Sequence, residues 1–250
     1  WNDAVKLYAE GNEKDAFVAL GHVVHLIEDM GVPDHTRNDQ HLPVWEALGG
    51  DSPYEDWAAL NKNRATLRGL GKKYADLGYF TKVFNDLGSY FDFLANYSNR
   101  NFFSRDTIGS SVYVEPKTSF IDEKYFYGID KLTNSEVKLF GTFDKKDGTK
   151  ILALNGEHDT SVLSSYFDRL ALQIIPSGAG VIDLFFKEAN KARVVYQEEL
   201  VKKQEAEEQS KALLDERLSK KGFTGLVSYA WYGTGHLLNS YVAKPIIVPV

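Results

Sequence analysis

Between residues 16 and 55 of this 250-residue chain, His25-Leu-Ile-Glu-Asp29 is followed by Val32-Pro33-Asp34-His35 and then by Asp51-Ser52-Pro53-Tyr54-Glu55. Imidazole nitrogen and carboxylate oxygen are ligands that first-row metals such as zinc accept, and a helix presents two such groups four residues apart on one face without backbone strain. His25 and Asp29 have that spacing, as do Asp51 and Glu55. A catalytic metal keeps one position open for water and lowers its pKa toward neutrality, which yields a nucleophile able to attack phosphorus. The chain has no cysteine, so thiolate sites and disulfides are excluded and any metal must rest on nitrogen and oxygen.

The elements that must position these groups can be read from periodicity. A helix opens near Glu13, with Phe17, Leu20, Val24 and Ile27 recurring at steps of three and four as a core-facing stripe. At 100° per residue His22, His25 and Asp29 fall within roughly 60° of one another and off that stripe, so one face packs while another carries ligands. Gly31 and Pro33 end the helix, because proline disfavours helical geometry for Val32 and glycine frees the chain to turn. His35 can then swing back toward the same end. Residues 38–50 read as a loop, after which Asp51-Ser52-Pro53 has the form of an N-cap with proline early in a new helix. Asp51 and Glu55 share a face of that helix, with Asp51 at its very start.

Elsewhere, residues 2–10 form a short helix broken by Gly11-Asn12, and 81–98 an amphipathic one through Val83, Phe84, Leu87, Phe91, Leu94 and Ala95. The texture changes to β-branched and aromatic runs at 111–114, 125–129, 137–143 and 150–154, with Lys146-Asp147-Gly148 as a hairpin signal. Residues 160–175 are helical and punctuated by Pro176-Ser177-Gly178. Residues 181–220 form one or two long helices, apolar at first and rich in Lys, Glu and Gln later. That charged half reads as a solvated face, since its apolar spacing is not a heptad, and it leaves the oligomeric state open. The expected architecture is mainly α: a metal-site helical region (1–105), a small antiparallel β insertion (106–156) and C-terminal helices completing the helical domain (157–250).

Composition narrows the function classes. A chain with 43% hydrophobic and 13% aromatic residues can bury a core, and a net charge of −6 lacks the basic footprint of nucleic-acid binders. No run of 18 apolar residues occurs, so no spanning helix is expected. The chain starts at Trp1 without methionine or a signal-like segment, which reads as a processed or excerpted chain and makes a secreted or periplasmic setting the expectation.

The run from Ala16 to Asn38, in the pattern A-F-x-x-L-G-x-x-x-H-x-x-x-D-x-x-x-P-x-H-x-x-N, resembles the helix of the bacterial zinc-dependent phospholipases C and the related single-strand-specific zinc nucleases. The resemblance covers about residues 11–60. It implies a multi-helix, phospholipase C-like fold around one to three Zn2+ ions, with His25 binding one zinc, Asp29 bridging two and serving catalysis, and His35 belonging to a further metal. The family completes that further site with His-x-x-x-Glu; here Asp51 stands in the histidine's place and Glu55 matches the glutamate. The family also has ligands on a longer upstream segment, including an N-terminal tryptophan. Trp1, only 24 residues before His25, is too near to match it.

The function the resemblance implies is zinc-dependent phosphodiester hydrolysis, metal-bound hydroxide attacking a phosphodiester or a phospholipid head group. Two alternatives accompany it: a single-strand nuclease of the same chemistry, disfavoured by the acidic charge, and a metal-depleted helical scaffold with a binding or surface role. Each candidate also has a plainer reading. His25, Asp29 and His35 would serve equally in a helix-end hydrogen-bond network, Glu55 as a solvated carboxylate and Asp51 as a cap. His22 suits hydrogen bonding behind the ligands. His41 and Trp45 suit a pocket wall or surface, His158-Asp159 capping, and His236 has no partner motif. Arg37 can meet a substrate phosphate or a surface carboxylate. Tyr229, Trp231 and Tyr232 suit either core or peripheral membrane contact.

Overall fold

The computed structural model describes residues 1–39, 52–60 and 81–220. Two compact units are present, Trp1–Val194 and Val195–Val250. In the first, α1 (Asn2–Ala9) turns through Gly11, at φ +87°, into α2 (Glu13–Asp29). A four-residue helix, α3 (Pro33–Thr36), follows, then α4 (Pro53–Ala59) and α5 (Leu87–Asn101). Strands β1 (Thr118–Ile121), β2 (Tyr125–Ile129), β3 (Glu136–Asp144) and β4 (Lys150–Ala153) form an antiparallel meander in chain order. The last element, α6, runs 60 residues, Ser161–Lys220.

The buried stripe of α2 is Ala16, Leu20, Val23 and Ile27. Phe17 is 44% exposed; its ring rests against Tyr8 and Phe186 at the rim of a cluster in which Ala4, Tyr8, Ala16 and Leu20 enclose Phe185 and Ala189 of α6. Further along α2, Val23 and Ile27 pack on Tyr90, Leu94, Val181 and Leu184. Each fully buried side chain of this size contributes about 1.5–3 kcal/mol, enough to fix the axis of α2 and hence where its opposite face points.

The chain is mainly helical and its antiparallel sheet falls within residues 106–156, but the expected multi-helix, phospholipase C-like arrangement is overturned, because one long helix and the sheet dominate. The sheet supplies one wall of the main core: Val137, Leu139 and Phe140 of β3 pack with Tyr54, Tyr97, Phe102, Phe103, Val162, Leu163, Tyr166, Phe167 and Leu170. Strict alternation would put Phe140 on the face opposite Val137 and Leu139, but the register shifts where Phe126 and Tyr127 of β2 meet Phe140 and Lys138 of β3, and Leu139, Phe140 and Gly141 are buried in succession. The fold is a mixture of short helices and one four-stranded sheet assembled on a single long helix.

That helix passes straight through Pro176, where a break is expected from sequence. An interior proline costs about 3 kcal/mol, and burial around it outweighs that: Ser177 and Val181 are fully buried, and the Pro176 carbonyl accepts a hydrogen bond from the Lys82 backbone at 3.0 Å. Within α6 one 18-residue stretch has the length and composition of a membrane span, with 39% of it buried inside the protein. In the second unit, residues 195–219 are exposed except at Tyr196; the stretch is free of Gly and Pro and rich in strong helix formers, with Glu198, Glu199 and Glu207 each four residues before a lysine.

Candidate metal centre

The last turn of α2 carries His25 and Asp29, whose Nε2 and Oδ2 lie 3.7 Å apart; the imidazole side chain is 70% exposed and the carboxylate 22%. Asp29 also anchors the turn that follows, its backbone carbonyl accepting from Val32 N at 2.9 Å. Val32 is extended, as the residue before proline must be, and Pro33 opens α3. His35 projects from α3 to meet Glu55 of α4, Nε2 to Oε1 3.3 Å. The start of α4 is fixed by Ser52: its hydroxyl accepts from Glu55 N at 3.3 Å, and Tyr54 is buried beside it.

Electrostatics tie the two pairs together. The hydrogen bond to Glu55 raises the His35 pKa above its ordinary value; burial opposes the shift, and the charges of Glu55, Asp29 and Asp34 reinforce it. The field of Asp29 therefore reaches His35 across the turn. Burial raises the Glu28 carboxyl, with His25 opposing and Asp29 adding. Asp34 is almost fully buried, at 1% exposure. Beneath it Tyr54 is held protonated well above the usual phenol range, chiefly by burial and then by the charges of Asp34, Glu55 and Asp168.

Of the residues singled out from sequence, His25 and Asp29 are thus brought together, as are His35 and Glu55. Asp51 lies outside the described residues, with His41, Trp45, Tyr229, Trp231, Tyr232 and His236. His22 is exposed one turn before His25. Trp1 is a packing residue whose indole donates to Glu188 Oε2 at 2.7 Å and meets Phe185 edge-on. Asp159 does cap the start of α6, accepting from Ser161 N at 3.0 Å, and also receives Lys124 Nζ and the Tyr125 hydroxyl.

Arg37 departs from both of its expected roles. It is 1% exposed, and its guanidinium donates to the backbone carbonyls of Asn99 and Glu115 and, at 3.2 Å, to Thr107 Oγ1. Phe103 and Tyr113 cover its faces at 5.1 and 4.9 Å, and burial lowers its pKa to about 10. Nothing in the spacing around Arg37 signals this, because all its partners lie at least 62 residues away.

Imidazole nitrogen and carboxylate oxygen are donor types that zinc accepts. Two ligands of one tetrahedral ion, each bonded at about 2.1 Å, stand about 3.4 Å apart; His35 Nε2 and Glu55 Oε1 are 3.3 Å apart and His25 Nε2 and Asp29 Oδ2 3.7 Å. Among the described residues, no group of three or more such side chains gathers around one point. Comparison with known proteins adds nothing to these observations: no family model, curated protein or solved structure matches the chain.

Proposed function

We propose that the chain carries a zinc site for phosphodiester hydrolysis, acting on a phosphodiester or a phospholipid head group. The observation that carries this reading is the meeting of His35 and Glu55. They come from separate elements, 20 residues apart, yet present nitrogen and oxygen at the 3.3 Å spacing of two ligands on one ion. The resemblance of about residues 11–60 to the zinc phospholipases C implies a shared metal for these two residues, and they face each other in the fold.

In this reading His35 and Glu55 would hold one ion and His25 and Asp29 would supply ligands at the neighbouring helix end, the charge of Asp29 already acting on His35. Bound zinc would supply a water of lowered pKa and neutralise developing phosphate charge. The residues do the rest. The buried flank of α3, with Pro33 and Asp34, keeps His35 directed at Glu55, and the packed stripe of α2 keeps His25 and Asp29 outward. His35 has to lose its proton before it can ligate, so occupancy rises with pH through its raised pKa.

The absence of a three-donor group among the described residues favours a second reading, a metal-depleted scaffold. One experiment separates the two. The protein is purified without added metal, its elements are quantified before and after zinc reconstitution, and hydrolysis of a phosphocholine ester and a generic diester is followed. Bound zinc with turnover supports the hydrolase. Zinc without turnover supports the scaffold, and failure to retain zinc after reconstitution overturns the metal reading.

A further inference from the structure

A four-residue helix cannot hold its own orientation, because nucleation is unfavourable and only tertiary contacts stabilise so short an element. α3 is such a helix, and His35 projects from it. What fixes it lies on the far side of the turn. The Thr36 hydroxyl donates to Ser98 Oγ at 3.2 Å, and Asn99 Nδ2 donates to the Thr36 carbonyl at 2.8 Å. The next residue, Arg37, reaches the Asn99 and Glu115 carbonyls and Thr107 Oγ1, and the Tyr113 hydroxyl donates back to the Arg37 carbonyl.

Burying a guanidinium costs several kcal/mol unless it is paired, and among the described residues no carboxylate forms an ion pair with Arg37. Neutral carbonyls, a hydroxyl and two aromatic faces receive it instead, and its Nε finds no acceptor among the described residues. A buried charge satisfied this incompletely is a poor source of stability. Its planar fork is a good source of geometry, because it requires the carbonyls at the end of α5 and before β1 to stand in one arrangement about the turn.

We propose that Arg37 and Asn99 are positioning residues that latch the Pro33–Thr36 turn to the end of α5 and thereby hold His35 opposite Glu55. This rests on the zinc reading. Neither residue touches a ligand; both act through His35.

The test measures zinc affinity by chelator competition in wild type, Arg37→Lys, Asn99→Ala, His35→Ala and the double variant Asn99→Ala/His35→Ala. Thermal unfolding of each metal-free form is recorded alongside. Support residues behind metal ligands are worth about 10–100-fold in affinity, so Asn99→Ala should weaken the site at least about tenfold. Its effect should vanish in the His35→Ala background. Arg37→Lys keeps the charge but lacks the fork and should show the same loss; if it fails to fold, Asn99→Ala carries the test. Wild-type affinity in Asn99→Ala, or an undiminished Asn99→Ala effect without His35, would overturn the latch while leaving the zinc reading intact. A wild type that binds no zinc overturns the zinc reading and, with it, the latch that rests on it.

Discussion

Replacing Glu55 by Gln gives a sharp test of the proposed site, because in that reading the pair has one value without zinc and another with it. The His35 and Glu55 side chains are 29% and 39% exposed, and ion pairs of that exposure contribute at most about 1 kcal/mol. Glutamine keeps the shape and can still hydrogen-bond the imidazole. In a chelator, the variant should therefore unfold within about 1 kcal/mol of wild type. With free zinc buffered at about 100 times the dissociation constant of this site, the native state gains about 2.7 kcal/mol. For a domain of this size that is about 5–11 °C in unfolding midpoint. Glu55→Gln should lose that increment and keep any response from other ions. Calorimetry of both proteins with chelator and with zinc measures the difference, and an identical zinc response would refute the assignment of Glu55.

The pH dependence has a definite sign. The folded pKa of His35 is raised above its ordinary value, first by the hydrogen bond to Glu55. In metal-free protein the stabilisation from this pair is fully present below the ordinary imidazole value and is lost as pH rises through the raised one. Zinc needs the neutral imidazole, so its contribution runs the other way, growing as pH rises through the same value. The gap between zinc-loaded and zinc-free stability should widen from pH 6 to pH 8. A gap that is constant over that range would show that His35 is not a ligand.

Two substitutions probe the scaffold. The Tyr166 hydroxyl donates to the Leu139 carbonyl and accepts from Phe103 N at 3.1 Å, all in the core, and burial pushes its pKa up to about 12. Tyr166→Phe strands two buried backbone groups at about 1–3 kcal/mol each, so denaturant titration should show a loss of about 2–6 kcal/mol; a loss below about 0.5 kcal/mol would mean that these groups find other partners. Gly180 on α6 has no room for a Cβ, which would stand 2.0 Å from the Lys82 carbonyl oxygen and 2.6 Å from the Tyr90 hydroxyl. Gly180→Ala should destabilise by about 1–3 kcal/mol and speed amide exchange at Lys82, whose N–H bonds to Pro176; unchanged exchange would show that the 82–86 segment yields freely.

What could be read from sequence was whatever depended on near neighbours. Gly148, at φ +80°, closes the β3–β4 hairpin where the Lys-Asp-Gly signal placed it, and Gly31 with Pro33 ends α2 and starts α3. The exposed His25 and half-buried Asp29, off the core stripe, follow from helical phase alone. The misses each involve a distant partner. Val23 is buried where Val24 was expected because Tyr90 and Leu94 of α5 lie on that side. Residues 111–114 have strand composition, yet Tyr113 is used to cover Arg37. Thr118–Ile121, exposed along its whole length, becomes a strand only by pairing with β2. Asp86 starts α5 by capping Ser89 N at 2.9 Å, five residues later than periodicity suggests. Pro176 is the plainest example: its local cost is certain, and the packing that outweighs it cannot be seen from its neighbours.

The same distinction explains why the sheet belongs to the account of the proposed metal site. The Leu139 carbonyl of β3 is held by the Tyr166 hydroxyl, which also accepts the Phe103 amide. Phe103 packs edge-on against Phe140 and lies over the Arg37 guanidinium. Arg37 in turn grips the carbonyls beside which the Pro33–Thr36 turn is tied, and His35 faces Glu55 from that turn. Every link is a buried contact or a hydrogen bond between residues far apart in sequence, so a short helix with little intrinsic stability inherits its position from a strand about a hundred residues later. Here the strand, the long helix and the turn share one core, and the arrangement of the candidate ligands is a property of that core as much as of the motif that carries them.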